Sequence, residues 1–173
     1  RRAGQRHRRG GGTSGSDLIV VDNRNDILYD ITMLRFVLDT DVIIAAMRSP
    51  AGASAAILRA ADAQQVRLLS SVALVLEYEA KCTELKHYEA AAISLTDASN
   101  FVDAVAALAE PIELHFFWRP QLPDPNDEMV LEAAINGQAD AIVTFNLRHY
   151  SSAPSQFGID VLLPSQAIWR IRS

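Results

Sequence analysis

Leu34-Arg35-Phe36-Val37-Leu38-Asp39-Thr40-Asp41-Val42-Ile43-Ile44-Ala45-Ala46-Met47 is the stretch on which the fold turns. Its first half is a short apolar run, Leu34–Leu38, that stops at an acid, Asp39, as a buried strand does when it reaches the edge of a sheet. Thr40–Met47 then reads as a short helix, halted by Arg48-Ser49-Pro50-Ala51-Gly52. A strand that passes directly into a helix is half of a βαβ unit. If the alternation repeats, the sheet is parallel.

It does repeat. Ala53–Gln64 reads as a second helix, with Ile57 and Leu58 as its large apolar members, and Val66–Leu69 as the next strand. Ser71 is placed to cap the following helix, on which Val72, Val75, Leu76 and Ala80 recur at three- and four-residue steps, an expected core face. Glu77 falls in its second turn. Thr96 to Glu110 reads as a helix with Phe101, Val105 and Leu108 inward, ended by Pro111; Ile112–Phe117 reads as a strand, and Pro120 to Pro125 as a turn-rich loop. The next helix is expected from Asp127 to Asn136, closed by a left-handed Gly137. Ala141–Phe145 and the shorter Val161–Leu163 complete the strands, and a last helix starts at Pro164. The pattern predicts an α/β fold with a parallel sheet of four or five strands.

Upstream, residues 1–32 are basic, Gly-rich and poor in core-forming side chains at their start, and are expected to be disordered or an accessory extension. Leu18–Val21 is a candidate accessory strand. The globular domain is expected to begin at Met33 and run to Ser173.

Composition narrows the function. At 173 residues, with 49% hydrophobic and 21% charged residues, the chain fits one domain, and no apolar run approaches the roughly 18 to 20 residues that span a bilayer. Cys82 is the one cysteine, which excludes an intrachain disulfide and a thiolate zinc site and fits a reducing cytoplasm, as does the lack of a secretory leader pattern. Net charge is -5, and residues 1–32 carry six Arg against four Asp, so the acidic excess lies in the remainder. Such a body repels nucleic acid unless a bound cation reverses the local field.

Acids fall where such a cation would be held. Asp39 ends the first strand, Glu77 follows the second, Asp124 and Asp127 precede and open a helix, and Asn146 follows the fourth strand. In an open parallel sheet these places converge on one crevice. Clustered carboxylates with no Lys or Arg beside them suit Mg²⁺ or Mn²⁺, which take oxygen ligands and can activate a water against a phosphodiester. Each acid also has a plainer reading. Asp39 could be a helix cap, Glu79 could replace Glu77, and Asp124 and Asp127 both suit the start of a helix. Asn146 could be a turn residue.

Four segments, in order, resemble the motifs of the PIN-domain family. Val37-Leu38-Asp39-Thr40-Asp41-Val42 is similar to the first, Ser70-Ser71 through Leu76-Glu77-Tyr78-Glu79 to the second, Asp124-Pro125-Asn126-Asp127-Glu128-Met129-Val130-Leu131-Glu132-Ala133-Ala134 to the third, and Val143-Thr144-Phe145-Asn146 to the fourth. The resemblance spans about residues 34 to 170. It implies a three-layer α/β/α fold around a mainly parallel twisted sheet, and a Mg²⁺- or Mn²⁺-dependent endoribonuclease acting on single-stranded RNA. The third motif resembles the branch that holds VapC-type toxins, which implies a homodimer and a cognate antitoxin.

On this resemblance the catalytic residues are Asp39, Glu77 and Asp127, joined as metal ligands by Asp124 and Asn146, with Thr40, Ser71 and Thr144 in support. The departure is Asn146, where many members carry Asp. From their positions beside the expected site, Arg48, Lys81, Arg119 and His149 are candidates to contact RNA, with solvated surface as the plainer reading of each. Trp118 and Tyr150 are read either as base-stacking rings or as core and dimer contacts.

Other classes fit less well. Asp39-Thr40-Asp41 has the spacing of a haloacid-dehalogenase-like phosphatase, but Lys81 and Lys86, the lysines of the chain, are both expected on the helix beside Glu77 and not after a late strand. A receiver domain fails for the same reason. An inactive PIN-like module that binds RNA or protein remains as the non-enzymatic alternative.

Overall fold

Five strands, β1 (Arg35–Leu38), β2 (Arg67–Ser70), β3 (Ala109–Pro111), β4 (Ala141–Val143) and β5 (Asp160–Leu162), form one sheet in the order β3-β2-β1-β4-β5, and every pair is parallel. This computed structural model describes residues 33–117, 119, 121–150 and 152–173. The expectations for residues 1–32, including Leu18–Val21, and for Trp118 fall outside the described residues. Helices flank the sheet: α1 (Thr40–Arg48), α2 (Ala53–Asp62), α3 (Val72–Cys82), α4 (Leu85–Ala90), α5 (Leu95–Leu108), α6 (Pro125–Asn136), α7 (Leu147–Tyr150) and α8 (Pro164–Ile171), with a 3₁₀ turn at Pro154–Phe157. The architecture is the expected α/β fold.

β1 lies at the centre, with Val37 beside Leu69 on one side and Ile142 on the other. Phe36, Val37 and Leu38 are buried, as residues covered on both faces of a sheet must be. From β1 the chain builds outward through β2 and β3, then returns to lay β4 and β5 on the opposite side. That reversal places a crevice beyond the C-terminal ends of β1 and β4. Arg35 is the exception to the apolar run. Its guanidinium reaches Glu110 at 3.0 Å and the Gly137 carbonyl at 3.2 Å, so it sits at the opposite end of the strand without an unpaired charge.

Several local expectations are corrected. On α3 the buried residues are Leu74, Tyr78 and Cys82, while Val72 and Leu76 are 75% and 59% exposed. The helix is rotated so that the Tyr78 hydroxyl donates to the Leu38 carbonyl at the end of β1, and the i, i+4, i+8 row that includes Tyr78 turns inward. On α5, Ala98, Val102 and Val105 are buried, with Phe101 and Leu108 only half-buried. That helix starts earlier than expected because Ser94 and Asp97 form a reciprocal capping box.

The third strand is Ala109–Pro111, not Ile112–Phe117. α5 passes straight into it, and Pro111 is tolerated because β3 is an edge strand, where a missing N–H need leave no partner unpaired. The Ile112–Phe117 backbone is instead drawn to α6: Asn136 Oδ1 accepts from His115 N at 2.9 Å and Phe116 N at 3.0 Å. α6 itself opens at Pro125 behind an Asp124 cap, two residues ahead of the expected Asp127.

Gly137 is not left-handed: φ is -83°, and Gln138 carries the positive φ of 51°. What requires glycine there is space. A Cβ on Gly137 would lie 2.9 Å from both the Ala133 carbonyl oxygen and Leu69 Cδ1. β4 is also shorter than expected, because past Val143 the chain turns from the ladder toward α1.

Among the described residues no single helix is long and apolar enough to cross a membrane.

Candidate active site

Asp39 follows β1 directly, and its side chain caps α1, with Oδ1 accepting from Thr40 N at 2.7 Å. The capping reading of Asp39 is therefore correct, and it uses one oxygen of the carboxylate. Oδ2 faces the loop after β4, where it accepts from Thr144 Oγ1 at 2.8 Å and from the Tyr150 hydroxyl at 3.0 Å. Asp39 is 8% exposed and Thr144 and Tyr150 are fully buried, so this is a desolvated polar cluster at the sheet edge. Burial, then the nearby Asp39 charge, holds the Tyr150 hydroxyl far above its ordinary pKa, so it stays a donor. The same two causes, in the same order, act on Tyr78.

Two residues further on, Asp41 turns inward from the first turn of α1. Its Oδ2 gathers two donors of the β4 loop, Phe145 N at 3.0 Å and Asn146 Nδ2 at 3.0 Å, and stands 3.4 Å from Thr144 Oγ1, whose one proton goes to Asp39. Its Oδ1 is buried and has no well-aligned hydrogen-bond partner, although the Val42 amide acts on the carboxylate and favours its charged form. Desolvation, then repulsion from Asp39, raises the Asp41 carboxyl to about 6 against the opposing pull of the Phe145 amide. Sequence reasoning had not placed Asp41 in the site. The signal was present in Asp39-Thr40-Asp41, since residues i and i+2 at a strand-to-helix junction can both reach one edge.

Asp127 approaches from α6 and is 7% exposed. His149 Nδ1 stands 3.2 Å from its Oδ2, a close ion-pair distance. The contact is not aligned as a hydrogen bond, and Oδ2 is left without a donor. That oxygen is under-satisfied, with His149 Nδ1 beside it but no aligned donor. Desolvation and then the Asp39 charge raise the Asp127 pKa, with His149 acting in the opposite direction and Asp124 adding to the rise.

The remaining sequence candidates have other surroundings. Asp124 caps α6 by accepting from Asn126 N at 2.9 Å and acts on Asp127 through its charge. Glu77 is half-buried on α3, one residue before the Tyr78 that reaches Leu38, and its charge acts on Lys81. It shares no hydrogen bond with Asp39, Asp41 or Asp127. Ser71 Oγ caps α3 through Leu74 N at 3.3 Å, and Thr40 supplies its amide to Asp39. Asn146 donates to Asp41, and its amide N–H is held by Thr144 Oγ1 at 2.9 Å.

Of the candidate RNA contacts, Arg48 is exposed, Lys81 pairs with Glu84 at 3.1 Å, and Arg119 is forked onto Glu132 at 2.7 and 2.8 Å. Tyr150 belongs to the core and is not an open stacking ring.

A structural row on α6 also went unread in the sequence. Glu128 accepts from Gln121 N and Leu122 N at 2.5 and 2.8 Å, Glu132 holds Arg119, and Asn136 holds residues 115–116. Spaced four residues apart, these side chains form one polar stripe that binds the segment before α6 to its flank. Asp127, next to Glu128, is oriented by the same helix.

Divalent oxygen-seeking cations fit this chemistry. Two buried carboxylate oxygens, Asp41 Oδ1 and Asp127 Oδ2, lack donors, both groups feel the Asp39 charge, and among the described residues no Lys or Arg pairs with any of the three. Among those residues no group of three or more His, Cys, Asp or Glu is already arranged to hold a metal ion. Mg²⁺ does not need a full protein cage, since it is commonly held by one or two carboxylates with waters and substrate phosphate.

A PIN-domain family profile matches residues 35–148, which contain β1 through β4 and every carboxylate just described. The chain belongs to the PIN-domain family. No curated protein matches it. PIN domains are nucleases as a family and typically use divalent metals.

Proposed function

We propose that this chain is a Mg²⁺- or Mn²⁺-dependent endoribonuclease that hydrolyses phosphodiester bonds of single-stranded RNA in the cytoplasm. The observation that carries the reading is the pair of buried oxygens without an aligned donor, Asp41 Oδ1 and Asp127 Oδ2, on two carboxylates that both feel the Asp39 charge. An acidic cluster with spare lone pairs does not attract a phosphate by itself. With a divalent cation it attracts one.

Asp39, Asp41 and Asp127 would hold the ion, with Glu77, Asp124 and Asn146 as further candidates from the sequence motifs. The bound ion supplies an activated water, charge stabilisation of the phosphoryl oxygens and stabilisation of the departing 3′ oxygen. Thr144 and Tyr150 fix Asp39, while Asn146 and the Phe145 amide fix Asp41, so both carboxylates are set before substrate arrives. Arg48, exposed at the end of α1, and His149, about half exposed beside Asp127, would meet the RNA backbone.

The finer role follows from the third-motif resemblance: the toxin of a type II toxin–antitoxin pair, acting as a homodimer and neutralised by a cognate antitoxin. Residues 33–173 would be the nuclease domain and residues 1–32 an accessory extension. A competing reading, an inactive PIN-like module that binds RNA or protein, is favoured by the lack of a ready three-residue metal group among the described residues.

Incubation with a diverse single-stranded RNA pool separates the two. The nuclease cuts the pool with Mn²⁺, stops in EDTA, recovers on re-addition of metal and is inactive as Asp127→Ala. An intact pool, bound equally by the wild type and Asp127→Ala, would establish the binding module instead. Mapping of cellular RNA ends after induced expression would then test the toxin role.

A further inference from the structure

The hydrogen bonds around Asp39 restrict how that carboxylate can bind an ion, and the inference that follows rests on the divalent-cation reading above. An ionised carboxylate offers about four lone-pair positions, two on each oxygen. On Asp39, Oδ2 accepts from Thr144 Oγ1 at 2.8 Å and from the Tyr150 hydroxyl at 3.0 Å. Oδ1 accepts from Thr40 N at 2.7 Å. Both positions on Oδ2 are thus filled, and one remains on Oδ1.

We propose that Tyr150 is a metal-selectivity residue: by filling the second position on Asp39 Oδ2 it confines Asp39 to single-oxygen ligation. Mg²⁺ and Mn²⁺ accept that arrangement. Ca²⁺, which takes six to eight oxygens and readily uses both oxygens of one carboxylate, loses a ligand by it. Tyr150 has the rigidity for this role. It is fully buried, so no bulk water replaces its hydroxyl, and it follows directly on His149, which approaches Asp127. Asp41 shows the same design, with the Phe145 N and Asn146 Nδ2 donors both on Oδ2 and no aligned donor on Oδ1. Tyr150 touches neither substrate nor ion in this account and acts as a positioning residue through Asp39.

Competition between Ca²⁺ and Mn²⁺, followed by the free Mn²⁺ paramagnetic signal, tests the inference without reference to cleavage. Tyr150→Phe and Thr144→Val each release one position on Oδ2 by a different route, so a folding defect in one leaves the other to report. The expected result is that either variant shifts the affinity ratio toward Ca²⁺ by about 10-fold, the scale of effects seen when a residue behind a metal ligand is changed. A purely structural role would weaken both ions together and leave the ratio fixed. An unchanged ratio in both variants, with Mn²⁺ still bound by the wild type, overturns the inference and leaves the cation site standing. Failure of the wild type to bind Mn²⁺ overturns the cation reading and this inference with it.

Discussion

Asn146 Nδ2 donates to Asp41 Oδ2 at 3.0 Å, tying the loop after β4 to the first turn of α1 across 105 residues of chain. Asn146 therefore serves here as a donor to an acid whose other oxygen is bare. Many PIN domains carry Asp at this place, and Asn146→Asp would set two carboxylates against each other. The expected cost to the metal-free protein is about 1–2 kcal/mol, from a lost charge-assisted hydrogen bond and added repulsion. Thermal melts in EDTA should show the loss, and saturating Mn²⁺ should narrow it.

The raised carboxyl of Asp41 gives the metal-free protein an unusual pH response. Its folded pKa of about 6 lies above the ordinary 3.8, so the folded state takes up the proton first. Its contribution to stability is then fully present below the unfolded value and is lost as pH rises through 6. Asp127 shifts in the same direction. Between pH 7 and 5 the urea midpoint in EDTA should rise on acidification more steeply in the wild type than in Asp41→Asn. Equal slopes would show that Asp41 does not carry the effect.

Arg119 and Glu132 test whether the stripe on α6 supports the site. Glu132 is 1% exposed and its charge is met by the Arg119 fork, so Arg119→Ala leaves a buried carboxylate uncompensated. The half-exposed guanidinium moderates the cost to about 2–3 kcal/mol, below that of a fully buried pair. Hydrogen exchange should quicken over residues 115–122, and Glu132→Gln in the same background should recover part of the stability.

Gly137 makes a packing prediction. Gly137→Ala puts a methyl 2.9 Å from Leu69 Cδ1, which can move, and from the Ala133 carbonyl, which is fixed in α6. A loss of about 1–3 kcal/mol is expected from overpacking. Circular-dichroism melts would measure it, and a variant as stable as the wild type would contradict the contact.

These residues also show what could be read from the sequence. The run Phe36-Val37-Leu38 is apolar on both faces, which only a central parallel strand requires, so the fold class and the position of Asp39 were legible. Glycine at 137 looked like a helix stop, because a sequence pattern does not record that Leu69 packs against it. Periodicity on α3 chose Val72 and Leu76, whereas the Tyr78 bond to Leu38, 40 residues away, sets the rotation of the helix. Asp127 and Asp39 were read in the sequence as members of one site, and the Asp39 charge acts on Asp127 to raise its pKa. Asp41 was passed over because its partners, Phe145 and Asn146, lie more than 100 residues away. Tyr150, likewise far from Asp39 in sequence, offered no local sign of its hydrogen bond.

The proposed divalent-cation site of Asp39, Asp41 and Asp127 is tested most directly by equilibrium Mn²⁺ binding. Titration of the metal-free protein, with free Mn²⁺ read by electron paramagnetic resonance, should show saturable binding in the wild type. Asp39→Asn and the pair Asp41→Asn with Asp127→Asn should each weaken it at least about 10-fold while remaining folded. Mn²⁺ binding of equal strength in the wild type and these folded variants, or none in the wild type, would contradict the account.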